Sequence, residues 1–124
     1  MDRNAIEKVV QAYFDASYES DGAGMAEVFH DGSNLYFIGE GGELVIWDKD
    51  SFVDVVNAHP AGSSELGYPR NDEILSIDFT DENTAVARVK MRVRETLYTD
   101  ILCFLFLNGK WGVISKVFTG EPAD

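Results

Sequence analysis

Asn108-Gly109, set between the apolar runs Leu97–Leu107 and Trp111–Thr119, constrains this chain more than any other feature. Both residues tolerate the positive φ of a type I′ turn, so the dipeptide closes a two-residue hairpin with a strand on either side. Leu107 then faces Lys110, and pairing runs back one residue at a time from there. Side chains alternate along a strand. One face therefore shows Tyr98, Asp100, Leu102, Phe104, Phe106, Trp111, Val113, Ser115 and Val117. The other shows Thr99, Ile101, Cys103, Leu105, Leu107, Gly112, Ile114, Lys116 and Phe118. Both faces are apolar, whereas a sheet with one wet side is apolar on one face only. One face needs helices as cover, and the other needs a second subunit.

The preceding strand, Ala85–Arg94, takes its register from the turn around Glu95-Thr96. A turn of two or four residues puts Ala87, Val89, Met91 and Val93 beside Asp100 and Phe104. Arg88, Lys90, Arg92 and Arg94 then line the opposite face. A three-residue turn sets Asp100 against Lys90 or Arg92 instead, as a plain cross-strand ion pair. The first register keeps small and apolar side chains together and is the one expected, with Asp100 as a carboxylate on an apolar inner wall.

The first half of the chain reads as helices around one hairpin. Ile6, Val9, Val10, Tyr13, Ala16 and Ser17 recur at helical spacing over residues 3–19. Asp21 is placed to cap a short second helix containing Met25, Val28 and Phe29, ended by His30. Asp31-Gly32 reads as a turn before the strand Leu35–Ile38, and Gly39-Glu40-Gly41-Gly42 turns the chain into Leu44–Trp47. Asp48 is placed to cap a third helix through Phe52, Val53, Val55 and Val56, which stops before His59-Pro60 because the residue ahead of a proline leaves helical space. Residues 60–72 form a long loop, Ile74–Phe79 opens the final set of strands, and the tail Gly120–Asp124 is expected to fray. Helices segregated from an antiparallel sheet make an α+β fold. The 124 residues fit a single domain, 1–124.

Composition removes several functions. The single cysteine, Cys103, excludes an internal disulfide framework and cysteine-based zinc sites. Ten Lys+Arg against 22 Asp+Glu give a net charge of −12, which disfavours nucleic acid and anionic membrane surfaces. The N-terminus lacks a signal-peptide core and no apolar run is long enough to span a bilayer, so a soluble, cytoplasmic domain is expected. There is no GxSxG, no P-loop and no GxGxxG opening a helix. His30 and His59 lack metal-ligand spacing, so neither a metal nor another cofactor is expected.

Three stretches carry a family likeness. They are Val10-Gln11-Ala12-Tyr13-Phe14-Asp15-Ala16 followed by Asp21, then Val28-Phe29-His30, then Tyr98-Thr99-Asp100 leading to Gly109-Lys110-Trp111 and Lys116-Val117-Phe118. With them the chain resembles the cone-shaped α+β superfamily named after nuclear transport factor two. That superfamily includes ketosteroid isomerase, scytalone dehydratase, the SnoaL-like cyclases and small bacterial proteins labelled "putative lumazine-binding". The chain departs from it at Asp31-Gly32, where the family run carries a proline. The resemblance implies three helices packed on a curved, mostly antiparallel sheet, a pocket at the open end of the cone, and dimers formed through the outer face of the sheet.

Asp100 is the leading candidate residue, because burial raises a carboxyl toward the pH at which it serves as a general base. Tyr13, on the apolar side of the first helix, and His30 are the candidate donors to a developing enolate. Tyr13, Trp47, Tyr98, Asp100, Phe104 and Trp111 are the expected pocket lining. The first reading is a protein that binds a small apolar or aromatic molecule. The alternative is a cofactor-independent isomerase, dehydratase or cyclase using Asp100, and the third is a dimeric assembly module joined through Ile101, Cys103, Leu105, Leu107, Ile114 and Phe118.

Overall fold

The computed structural model describes residues 1–58 and 62–123. Helix α1 spans Arg3–Glu19, with Asp2 capping it through the Ala5 N–H. It ends where Ser20 enters the left-handed region and donates its N–H to the Ala16 carbonyl. Asp21 caps α2, Gly22–Val28, through Gly24, and Asp48 caps α3, Lys49–Asn57, through Ser51. The Asp21 and Asp48 caps are those expected from the sequence, and each of the three satisfies a backbone donor that the first helical turn leaves free. His59, assigned to a loop entrance, lies outside the described residues, as does Asp124.

Six strands follow the chain as β1 Phe29–Ile38, β2 Leu44–Asp48, β3 Glu73–Asp81, β4 Thr84–Val93, β5 Thr96–Leu107 and β6 Lys110–Pro122. They form one sheet in the order β2-β1-β6-β5-β4-β3, antiparallel except where β1 lies parallel to β6. The fold is α+β, with three helices on a six-stranded, mostly antiparallel open sheet among the described residues. Ile6, Val10 and Phe14 of α1, Met25 and Val28 of α2 and Phe52 and Val56 of α3 pack onto Leu35, Ala87, Val89, Leu102, Phe104 and Val113 of the sheet. No described helix is long and apolar enough to cross a membrane.

Several local expectations are corrected. The second helix stops at Val28, so Phe29 and His30 open β1 rather than ending a helix. Burying the Phe29 ring against Tyr13 and Phe52 stabilises by about 1.5–3 kcal/mol, well above the few tenths that one more helical residue is worth. Asp31-Gly32 is no turn but part of a bulge within β1. There the pairing with β6 jumps from Phe29–Val113 to Asn34–Ser115, and Gly32 takes φ +84°. The tail does not fray after Thr119: Gly120, Glu121 and Pro122 pair with Tyr98, Leu97 and Thr96.

Two turns decide which side chains face the helices. The β4–β5 connection is the two-residue turn Arg94-Glu95, closed by Val93 opposite Thr96, with Arg94 at φ 55°. Ala85, Ala87, Val89 and Met91 therefore face Phe104, Leu102, Asp100 and Tyr98, the register preferred from the sequence. The β5–β6 turn is Asn108-Gly109 as expected, and pairing holds from Leu107–Lys110 to Phe104–Val113. Cys103 then faces Ser115, leaving Ile114 as an extra residue. This bulge reverses the alternation beyond it. Lys116 and Phe118, assigned to the outer face, turn inward, while Ser115 and Val117, assigned inward, turn out.

Candidate functional site

Three elements bring Tyr13 (α1), Asp100 (β5) and Lys116 (β6) together between helices and sheet. Tyr13 and Asp100 are fully buried and Lys116 is 3% exposed. The Tyr13 hydroxyl donates to Asp100 Oδ2 at 2.5 Å. Lys116 Nζ stands 3.9 Å from the same oxygen, beyond hydrogen-bonding distance but within ion-pair range. Asp100 Oδ1 is buried without a hydrogen-bond partner among the described residues. The Lys116 ammonium lies over the rings of Phe118, Phe52 and Tyr13, at 4.5, 4.6 and 5.0 Å from their centroids. Each ring offers its negative face to the cation.

Burial dominates the electrostatics of all three groups. It raises the Asp100 carboxyl, although the Lys116 charge and the Tyr13 hydrogen bond both act to lower it. It lowers the Lys116 amine, against the pull of the Asp100 charge. The Tyr13 phenol lies well above its ordinary value of 10.0, first through burial and then through the charge and hydrogen bond of Asp100. Burial thus disfavours the charged form of each group.

Beside this cluster opens a recess of about 1030 Å³, lined on its inner side by Phe37, Trp47, Phe52, Met91, Tyr98, Phe118 and Lys116. Its aromatic wall is continuous. Phe37 meets both Trp47 and Phe118 at 4.8 Å, Trp47 stacks on Phe52, and Tyr98 meets Phe118 edge-on at 5.9 Å. The recess continues past the strands onto the outer face, where Arg88, Ile101 and Val117 contribute.

Of the expected lining, only Trp47 and Tyr98 border this recess. Tyr13 and Asp100 are sealed in the interior, and Phe104 is a fully buried core residue. Trp111 packs on Phe79 and Phe106 instead. His30 does not join the cluster. Its Nε2 lies 2.8 Å from the Leu105 carbonyl, and its ring fills the space above Gly112, where a Cβ would come within 2.9 Å of it. Among the described residues no group of three or more His, Cys, Asp or Glu side chains is placed to hold a metal ion.

Sequence reasoning missed Lys116, the buried cation on the inner side of the recess, together with Phe37, Phe52 and Phe118. One signal was present. Trp111 and Val113 share one parity on β6 and Phe118 the other, as a one-residue bulge between apolar inward positions requires. Ile114 and Val117 are apolar as well and mask it.

Residues 1–119 match the family model described as "Putative lumazine-binding". No curated protein matches the chain. Among solved structures, an NTF2-like protein of unknown function from Shewanella baltica OS155 superposes with a TM-score of 0.86 at 23% identity, over 97% of this chain and 94% of that one. An NTF-2-like protein of unknown function from Silicibacter pomeroyi DSS-3 gives 0.80 at 21% identity, over 95% and 94%. A ketosteroid isomerase-like protein from Erwinia carotovora atroseptica gives 0.71 at 16% identity, over 96% of each chain. At these identities the structures share the fold, and fold does not fix function. With the family model spanning nearly the whole sequence, the chain belongs to the family described as "Putative lumazine-binding", and it has the fold of NTF2-like proteins.

Proposed function

We propose that this protein binds a small molecule with an apolar or aromatic body in the recess, a hydrogen-bond acceptor on that molecule resting on Lys116. The observation that carries this reading is a buried cation bordering an aromatic wall, since ligand sites combine apolar lining with a few placed polar groups. In this reading the recess is the pocket of the cone. The enzyme alternative, with Asp100 as base and Tyr13 as donor, needs a carboxylate that a substrate can touch. Asp100 is fully buried and does not line the recess, which favours binding. Trp111→Phe leaves Trp47 as the reporter of the recess. Benzoate, benzamide and benzaldehyde are the probes. At least one is expected to change Trp47 emission saturably, and Phe118→Ala to weaken that binding about tenfold, or 1.4 kcal/mol. No saturable change with any of the three contradicts the reading.

A second reading concerns assembly. On the outer face Ile101, Leu107 and Val117 are exposed, and monomers seldom leave a large contiguous apolar patch in water. A second copy of this chain covering that face accounts for it, without Phe118, which points inward.

A further inference from the structure

Lys116 stands out chemically among the groups bordering the recess. It makes no hydrogen bond among the described residues, its nearest carboxylate oxygen is 3.9 Å away, and three rings surround it. A desolvated lysine in an apolar site is a nucleophile when it sheds its proton, and it needs a neighbouring acid to drive off water once it has attacked a carbonyl. Asp100 is placed to serve in both steps. Tyr13 occupies Oδ2, while Oδ1 is buried with no partner and is free to carry a proton.

We propose that Lys116 captures aldehydes covalently: its amine forms an imine with an aromatic aldehyde seated in the recess, while Asp100 behind it takes up the ammonium proton and returns it through the Lys116 nitrogen. This rests on the recess being a small-molecule site. The pair begins as ammonium and carboxylate, and one proton passes from Lys116 to Asp100. Burial pushes the amine down and the carboxyl up, so it favours that transfer at both ends. The amine lone pair attacks the carbonyl carbon, forming the C–N bond and opening the C=O π bond, and an N–H proton moves to the oxygen to give a carbinolamine. Asp100, which the aldehyde does not touch, returns its proton to the Lys116 nitrogen, an N–H proton passes on to the hydroxyl, the C–O bond breaks with its electron pair leaving as water, and nitrogen completes the C=N bond. The products are an iminium, an Asp100 carboxylate and one water, with no oxidant or reductant consumed. The iminium keeps the positive charge that the rings of Phe118, Phe52 and Tyr13 favour.

The test is reductive trapping of the folded wild-type chain with benzaldehyde and cyanoborohydride at neutral pH, followed by peptide mapping. Lys8, Lys49, Lys90 and Lys110 serve as internal references. Lys116 is expected to acquire a benzyl group at least about tenfold faster than any of them. Asp100→Asn is expected to slow that labelling by about tenfold or more while the Trp47 response to benzaldehyde persists. Labelling of Lys116 no faster than that of the other lysines overturns the proposal, and the wild-type map decides this even if the variant fails to fold. A Trp47 response without Lys116 labelling sinks the imine and leaves the binding site standing. Neither signal removes both. Labelling of Lys116 that benzoate suppresses by competition supports the imine, whereas saturable benzoate binding with no labelling makes the site an anion site and overturns it.

Discussion

Lys116 Nζ and Asp100 Oδ2 lie 3.9 Å apart on adjacent strands, both side chains enclosed between sheet and helices. Removing one member of such a pair leaves a buried charge with no counter-ion, which typically costs about 3–5 kcal/mol. Lys116→Met and Asp100→Asn should each destabilise the protein by about that much in urea unfolding. The double variant should lose less than the sum, with a coupling of at least about 1 kcal/mol. Additive single losses would show that the two groups do not interact in solution.

The same pair makes stability depend on pH. The Asp100 carboxyl is raised in the folded state, so its contribution is full below the ordinary carboxylate value of 3.8 and is lost as pH rises through the folded value. The Lys116 amine is lowered, so its contribution is present above 10.5 and is lost as pH falls through the folded value. Both groups are therefore least favourable at intermediate pH. Compared with a variant carrying Asp100→Asn and Lys116→Met together, the wild type should lose ground from about pH 4.5 toward neutrality and regain it toward about pH 9.5. Urea midpoints across that range check the shape, and a flat difference would contradict the assigned directions.

Gly112→Ala is expected to destabilise the protein by about 1–3 kcal/mol, because the new methyl group meets the His30 imidazole at 2.9 Å while that ring is held by the Leu105 carbonyl. Thermal unfolding measures this. His30→Ala in the same chain should recover part of the loss, and no recovery would mean the clash is not with His30.

How far the sequence could be read follows from what each element depends on. The caps Asp2, Asp21 and Asp48 and the Asn108-Gly109 turn act within a few residues of themselves, and of these Asp21, Asp48 and the turn were read correctly. The inward position of Asp100 followed from turn parity alone, even though the turn is Arg94-Glu95 rather than Glu95-Thr96. Lys116 could not be placed that way, because the bulge at Ile114 depends on what the long strand β6 meets on both sides. The irregular step in β1 lies beside it, between Phe29 and Asn34, and a parallel neighbour more than eighty residues away leaves no mark near Ile114 in the sequence. The Phe29–Asn34 step also explains why Asp31-Gly32 resembled a turn.

Val117→Glu tests the outer face. Val117 is 47% exposed there, beside Ile101 on the neighbouring strand. Wild-type protein should scatter light as a dimer at tens of micromolar, and the variant as a folded monomer, since a buried carboxylate at each copy of a two-fold contact opposes association. A monomeric wild type would dismiss the assembly reading and leave the recess untouched.

Lys116 is a buried amine beside the recess, and side-chain NMR of isotopically labelled lysine reads that amine directly. The Lys116 resonance should titrate below the ordinary lysine value of 10.5, and saturating benzoate, benzamide or benzaldehyde should shift it. A Lys116 amine that titrates at 10.5 or above and ignores all three compounds would place it in water and contradict both the site and the function built on it.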